Sequence, residues 1–433
     1  MRKVLYPDGV MRPESDARHW EDDVLFPKEN PILAKWVKWA SACNTCYQPE
    51  CTLGAVLAVA SSIMGQMYTV SSNFCNLYVV SLMETASGKD ACLRSMRTML
   101  AAIGRDSLIG ASNFSSGPGV LGELEAKGGR VLWCVDEMAP DLRTLAAGVS
   151  ISHKEEILSY MLEMYTIKPF SKKLAKAQVT ITDPCPIIYA GCQPVAWWQS
   201  TSIPKLLEGG FSNRFLVVNG DNFARSLTYL NAPLPDADVV AHLKAFDSSD
   251  YAPGTPNHLE GIRRVIELTP EAMEIHEEEN NKVQTFILDA RKTGDVMPKQ
   301  LIGRDAFKTL RIAAVYAWIK DYNNPIIDAD AIQWAWKITN ESARMILDQC
   351  RLHLQSTPTE ADVNLLLRQV KMAGINGIEI KELRARCRSF ATRFDAIYSH
   401  AMTTGEIITK TFATANLNKS ELRVIAKENK DVA

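Results

Sequence analysis

Hydrophobic positions recur at helical spacing from Pro31 to Tyr68, change to short continuous runs between Leu77 and Gly220, and return to helical spacing beyond residue 223. The first zone predicts helices: Pro31 opens ILAKWVKWASAC, and a second helix follows over TLGAVLAVASSIMGQMY (52–68). That second run carries Ser, Gly and Gln, and a membrane span needs about 20 mostly apolar residues. It therefore reads as a buried core helix, and no membrane partner is expected. The middle zone holds LYVVSLM (77–83), SLIGAS (107–112), RVLWCVD (130–136), VTITDPCPIIYAG (179–191) and RFLVVNG (214–220), separated by helical stretches. Continuous apolar strands between helices predict an α/β fold with a parallel sheet covered on both faces.

Beyond the Pro-rich stretch that starts at Ala232, FKTLRIAAVYAWIKDY and ADAIQWAWKITNESARMILDQC are strongly patterned helices. The acidic helix ELTPEAMEIHEEENNKV presents a solvated face rather than a metal cluster. After QSTPTEADV the pattern restarts: a helix (359–373), a turn at Gly374 and Gly377, the short helix IKELRARC, a helix over RSFATRFDAIYSHAMTTG, strand-like EIITKTF and a last helix over NKSELRVIAKENK. Three helices and a short ribbon are the layout of a winged helix. The expected divisions are a helical region 1–70, a sheet-bearing core 71–222, a helical lid 223–355 and a winged helix 357–433.

Composition changes this picture little. Hydrophobic residues make up 46% and charged residues 23%, ordinary values for a chain with a real core. The net charge of −2 shows no global basic excess, so any nucleic-acid contact must rest on local patches. One such asymmetry exists: residues 357–433 hold 12 Lys/Arg against nine Asp/Glu. The N-terminal residues are polar, without a secretory pattern. The ten cysteines lie mostly in apolar runs, which fits a reducing cytoplasm. In ACNTCYQPEC, Cys43, Cys46 and Cys51 raise the possibility of zinc, but no second pair or His partner lies nearby. Reduced structural cysteines are expected.

The chemistry concentrates in three places. Strand LYVVSLM runs into Met83-Glu84-Thr85-Ala86-Ser87-Gly88-Lys89-Asp90 and then a helix. A phosphate-binding loop needs that order, because backbone N–H groups and the helix N-terminus face the anion. Met83 replaces the usual first Gly, and Asp90 replaces the Ser/Thr that meets Mg²⁺. A carboxylate is a hard Mg²⁺ ligand, but beside a triphosphate it repels by about 4 kcal/mol at 4 Å and an effective dielectric near 20 until the cation offsets it. The second place is RVLWCVDE, where Asp136 at a strand end would order Mg²⁺ and Glu137 would act as general base on a water. Asp136 follows Lys89 by 47 residues, enough for the helices and strand of a doubly wound sheet. The third is YAGCQP followed by GGFSNRFLVV. There Gln193 ends a strand as a candidate γ-phosphate sensor, and Arg214 is either a surface charge or an arginine finger for a neighbouring subunit. No G-x-S-x-G, H-E-x-x-H or Cys–His pairing is present.

The ordered set SGKD, VLWCVDE, YAGCQP and GGFSNRFLVV resembles the helicase-like AAA+ ATPases of phage and mobile-element replication modules, a family similar to superfamily-three viral helicases. The resemblance covers roughly residues 30–350. The family usually carries a richer Gly loop and often two Gly where Ala190-Gly191 stands. The resemblance implies ATP and Mg²⁺ as cofactors, with Thr85, Ala86, Ser87, Gly88, Lys89 and Asp90 around the phosphates and Asp136 and Asp90 at the metal. It further implies Glu137 as base, Gln193 as sensor and Arg214 as a trans-acting finger in a homo-oligomeric ring, a hexamer. It also implies a pore hairpin gripping single-stranded nucleic acid at Lys168, Phe170, Lys172, Lys173 and Lys176; the other reading of these is a solvated Lys-rich turn. In the tail, Lys381, Arg384, Arg386, Arg388 and Arg393 are candidates for duplex DNA, with protein contacts the alternative. Arg304 and Arg311 are candidates for a second phosphate sensor. The expected function is ATP-driven translocation and DNA unwinding in replication, with a primase as a conceivable partner. The alternatives are an ATP-switched initiator or loader scaffold and a ring-shaped remodeller of proteins.

Overall fold

The computed structural model describes residues 3–5, 11–13, 20–44, 46–112, 116–138, 140, 142, 152–166, 169–173, 178–201, 206–207, 209–220, 232–246, 263–353, 358–403, 405–413 and 420–426. The chain divides into two compact units, one essentially Met1–Asp348 and the other Gln349–Ala433. The stretches expected as 1–70, 71–222 and 223–355 therefore pack as one unit up to Asp348.

In the first unit, α1 (Pro31–Ala42) starts where the Asn30 side chain accepts the Leu33 N–H at 3.2 Å and Pro31 follows at the first helical position. Helix α2 (Pro49–Met64) is buried at every residue. It is the core helix that the 52–68 pattern predicts, shifted because Gly65, at φ 54°, ends it. It packs under the sheet so closely that a Cβ on Gly54 would lie 3.0 Å from the Val79 side chain. No described helix is long and apolar enough to cross a membrane.

The sheet above α2 is built from β1 (Tyr78–Leu82), β2 (Arg130–Val135), β3 (Cys185–Cys192) and β4 (Phe215–Asn219), in the order β4-β1-β3-β2 and parallel throughout. Strand β3 thus lies between β1, which leads to the Ser-Gly-Lys loop, and β2, which ends at Asp136. All three strands are fully buried, as their apolar runs require. The strand expected at 107–112 is a correction: residues 106–108 form a 3₁₀ turn and only an isolated bridge, Ile109 to Leu132, continues the sheet. The ladder stops because the Glu123 carboxylate takes the Ala111 N–H at 2.7 Å while also accepting the Trp133 Nε1–H at 2.8 Å.

Between β2 and β3 lie a helix, Ser152–Glu163, and an antiparallel hairpin, Phe170–Lys173 with Gln178–Ile181. After β4 come long helices over Pro270–Lys292, Asp305–Lys320 and Ala329–His353. Lys308 makes a buried ion pair within the Asp305–Lys320 helix and ties that helix to the sheet. Lys308 Nζ lies 2.8 Å from Asp305 Oδ1, both side chains 2% exposed, and donates to the Phe215 carbonyl at 3.2 Å. Lys308→Met is expected to destabilise the fold by about 3–5 kcal/mol, because it strands a buried carboxylate; chemical denaturation of the variant measures this. Burial pushes the Asp305 carboxyl up to about 6. The folded chain then holds a proton between pH 6 and about 4 that the unfolded chain releases. The Asp305 contribution to stability is therefore expected to rise as pH falls through that window, in denaturation curves taken across it.

The second unit runs helix (Pro358–Met372), short strand (Ile378–Glu379), helix (Ile380–Arg386), helix (Phe394–Thr403) and two strands (Ile407–Ala413, Ser420–Ala426). The short strand and the 407–413 strand both pair antiparallel with the 420–426 strand. Leu366, Val370, Leu383, Phe394, Ile397 and Val424 belong to its core. The expected last helix over NKSELRVIAKENK is instead a strand at Ser420–Ala426. Glu, Leu, Arg and Ala favour helix locally, but seven residue pairs with the 407–413 strand override that weak preference. The expected helix from Arg388 begins only at Phe394, after a 3₁₀ stretch.

Candidate functional site

The carboxyl ends of β1, β2 and β3 converge at one edge of the sheet, the position where ligands bind in open parallel sheets. The loop from β1 leaves at Met83, whose N–H bonds the Cys192 carbonyl at 3.0 Å. Met83 is thus a strand extension with a side chain 0% exposed, packed where Gly220 leaves room: a Cβ there would meet Met83 Cγ at 2.7 Å. This accounts for a Met where a phosphate loop usually has its first Gly. Ala86 (φ 65°) and Gly88 (φ 91°) both take the left-handed conformation. Ala pays roughly 1–2 kcal/mol for it; Gly88 pays nothing comparable.

Lys89, the first residue of the helix Lys89–Ala102, directs its ammonium to Glu137 Oε2 at 2.6 Å. Glu137 also accepts the Gln193 N–H at 3.4 Å, and Gln193 Nε2 donates to Thr85 Oγ1 at 3.2 Å. One polar network therefore joins loop, β2 and β3. Lys89 and Glu137 are 17% and 30% exposed, within reach of a ligand yet partly shielded from water. Gly191 permits this approach: a Cβ on it would lie 2.5 Å from the Asp136 carbonyl. Asp136 itself is exposed at the end of β2. Asp90 points along the helix surface and pairs with Arg94 at 3.1 Å.

Arg214 sits elsewhere. It precedes Phe215, which pairs with Tyr78 at the start of β1, so it lies at the opposite edge of the sheet from Lys89. Five strand residues separate the edges, about 16 Å at 3.3 Å per residue. Arg214 cannot serve the Lys89 loop of its own chain. Its guanidinium donates to the carbonyls of Gly209, at 3.4 Å, and Gly210, and lies 5.8 Å from the Tyr165 ring centroid. Among the described residues it has no carboxylate partner. Burial, and next the neighbouring Arg304, push it down to about 10, which leaves it charged at neutral pH.

Other candidates are corrected by their surroundings. Arg311 is 2% exposed and donates to the carbonyls of Asn76 (2.9 Å) and Tyr165 (2.7 Å), so it is a structural clamp and not a phosphate sensor. Arg304 caps the same helix at that far edge, away from Lys89 of its own chain. Phe170 is 7% exposed against Tyr160, so its ring is not offered to a base. Lys172 is held by Glu156 at 3.0 Å and by Tyr160. Lys173 is exposed on the hairpin; Lys168 and Lys176 lie outside the described residues. In the second unit Arg384 pairs with Asp395 and stacks over Phe394, Arg386 pairs with Glu382 and Arg393 with Asp362, whereas Arg388 and Lys381 are exposed. The helix Phe394–Thr403 carries Asp395 and no Lys or Arg.

The described residues contain no group of three His, Cys, Asp or Glu that could hold a metal. Cys43 and Cys51 are buried. Burial pushes the Cys43 thiol up to about 11 and the Cys51 thiol well up, which disfavours the thiolates zinc needs. Their segment has a different neighbour. Gln48 Nε2 donates to the Ser87 carbonyl at 3.2 Å, and the Cys46 thiol lies 3.7 Å from the Ala86 carbonyl. The metal-like cysteine spacing marks this stretch in the sequence, but nothing in the local pattern announces contact with a loop 40 residues away. No family model matches the chain, and a search of curated proteins finds no match.

Proposed function

We propose that this chain is a P-loop ATPase of the AAA+ type, with a helical lid and a C-terminal winged helix, that assembles as a homo-hexameric ring and translocates on DNA. The observation that carries this reading is the Lys89–Glu137–Gln193–Thr85 network, spanning 2.6, 3.4 and 3.2 Å at the carboxyl edge of a parallel sheet. A triphosphate entering the loop would compete with Glu137 for the Lys89 ammonium. Glu137 would then be freed to accept a proton from water, and Gln193 would report on the γ-phosphate. Mg²⁺ would supply charge neutralisation there; it commonly takes only one or two protein carboxylates beside phosphates and water, a requirement Asp136 can meet. Asp90, paired with Arg94, is the weaker ligand.

Arg214, remote from its own loop and without a carboxylate, fits a finger offered to a neighbouring chain. The helix–strand–helix–helix–strand–strand order of the second unit supports a winged helix, and the hairpin with Lys173 supports a contact to single-stranded DNA. A second reading, an ATP-switched initiator or loader, is favoured by the glycine-poor loop and by Asp90, which pairs with Arg94 at 3.1 Å where a Ser/Thr would meet Mg²⁺.

Mg²⁺-dependent ATP hydrolysis by wild type and Lys89→Ala, each with and without single-stranded DNA, separates them. DNA-stimulated turnover that disappears in Lys89→Ala is the expected result. Tight ATP binding without turnover in any condition would leave the switch and remove the motor.

A further inference from the structure

Asn44, Cys46 and Gln48 lie against the 83–90 loop, and their side chains meet three consecutive loop residues. Cys46 reaches the Ala86 carbonyl at 3.7 Å, and Gln48, 0% exposed, donates to the Ser87 carbonyl at 3.2 Å. The Asn44 carboxamide fills the space beside Gly88: a Cβ there would lie 2.3 Å from Asn44 Oδ1. Asn44 is 1% exposed and is oriented by accepting the Cys46 N–H at 3.1 Å. Its Nδ2 is buried without a hydrogen-bond partner.

In a trans peptide the C=O and N–H point in opposite directions. A donor that holds the Ser87 carbonyl toward Gln48 therefore aims the Gly88 N–H away from Gln48, the side proposed for a phosphate. A loop rich in glycine reaches that arrangement by its own backbone freedom. This loop has one glycine between Met83 and Lys89, with Ala86 in the left-handed region.

We propose that Asn44 and Gln48 are positioning residues that hold the Ala86–Gly88 peptides in the phosphate-receiving orientation, replacing the backbone freedom that a glycine-rich loop would supply. This rests on the ATP-site reading of the loop. The ligand addressed is the triphosphate of Mg²⁺-ATP. Cys46 gives an independent readout, because nine of the ten cysteines are buried and Cys46 alone is partly exposed.

The test uses the full chain as wild type, Asn44→Ala, Gln48→Ala and Lys89→Ala. It measures ATP dependence of turnover, binding of a fluorescent ATP analogue with Mg²⁺, and iodoacetamide alkylation of Cys46 by peptide mass. Gln48→Ala is expected to raise the KM for ATP about 3- to 10-fold, the scale of one hydrogen bond, and Asn44→Ala to raise it as well through the packing lost beside Gly88, with the larger part of each effect in KM rather than kcat. Cys46 alkylation is expected to quicken in Gln48→Ala and to slow in wild type when Mg²⁺-ATP is bound. A lowered melting temperature with KM unchanged in both variants would overturn the positioning role. Should Gln48→Ala fail to fold, Gln48→Glu removes the donor at equal size; an unchanged KM there overturns the proposal equally. Analogue bound alike by wild type and Lys89→Ala would instead overturn the ATP-site reading beneath it. Analogue lost only in Lys89→Ala, with KM unchanged in both other variants, sinks the positioning role alone.

Discussion

Arg214→Ala is expected to lower ATP turnover by about 10³- to 10⁵-fold while ATP still binds. The expectation rests on the proposed ring ATPase and on where the side chain stands. It lies at the edge of the sheet opposite Lys89, so it contributes nothing to nucleotide binding within its own chain. A guanidinium offered across a subunit boundary acts on charge that develops on the transferring phosphoryl group, which is a kcat effect. Arg214→Lys should restore little, because an ammonium lacks the planar fork. Mixing Arg214→Ala chains with Lys89→Ala chains should return part of the activity, since some boundaries then join an intact loop to an intact arginine. Turnover in the mixture no higher than in either variant alone would argue that Arg214 serves only its own loop, where it donates to the Gly209 and Gly210 carbonyls.

Glu137→Gln is expected to lower turnover by about 10²- to 10⁴-fold, the range for removing a positioned general base, and at the same time to tighten ATP binding severalfold. The second effect is the more diagnostic. Glu137 holds the Lys89 ammonium at 2.6 Å, so an arriving phosphate must displace it. A neutral amide of the same shape gives up the ammonium more readily. Gln193 and Thr85 sit on the same network, so the substitution leaves the loop's other support in place. Equilibrium binding of a fluorescent ATP analogue, beside single-turnover hydrolysis, reads both effects. Weaker binding in Glu137→Gln would mean that the carboxylate supports the loop rather than competing for its lysine.

Much of the fold could be read from local pattern. The runs at 77–83, 130–136 and 214–220 could be read as strands because they are short, rich in Val and aromatic residues and bounded by turn residues, as a strand buried on both faces requires. The expected strand at 107–112 and the expected helix over NKSELRVIAKENK differ from the structure because groups elsewhere in the chain decide them: the Glu123 carboxylate ends one ladder and pairing with the 407–413 strand begins another. The candidate site was half legible. Gly88-Lys89, Asp136-Glu137 and Gln193 stand out because their chemistry is tied to strand ends. Asn44 and Gln48 do not, since their role exists only through contacts with residues about 40 positions away.

By itself, the sequence determined the alternation of buried strands and helices and the residue types at each strand end, because those follow from periodicity and side-chain chemistry. Only the tertiary structure decided that β3 lies between β1 and β2, bringing Gln193 against both Thr85 and Glu137. It alone turned Phe170 and Arg311 inward and set Arg214 at the far edge. Strand order and burial are long-range properties: they depend on which surfaces meet, and no local stretch of chain carries that information.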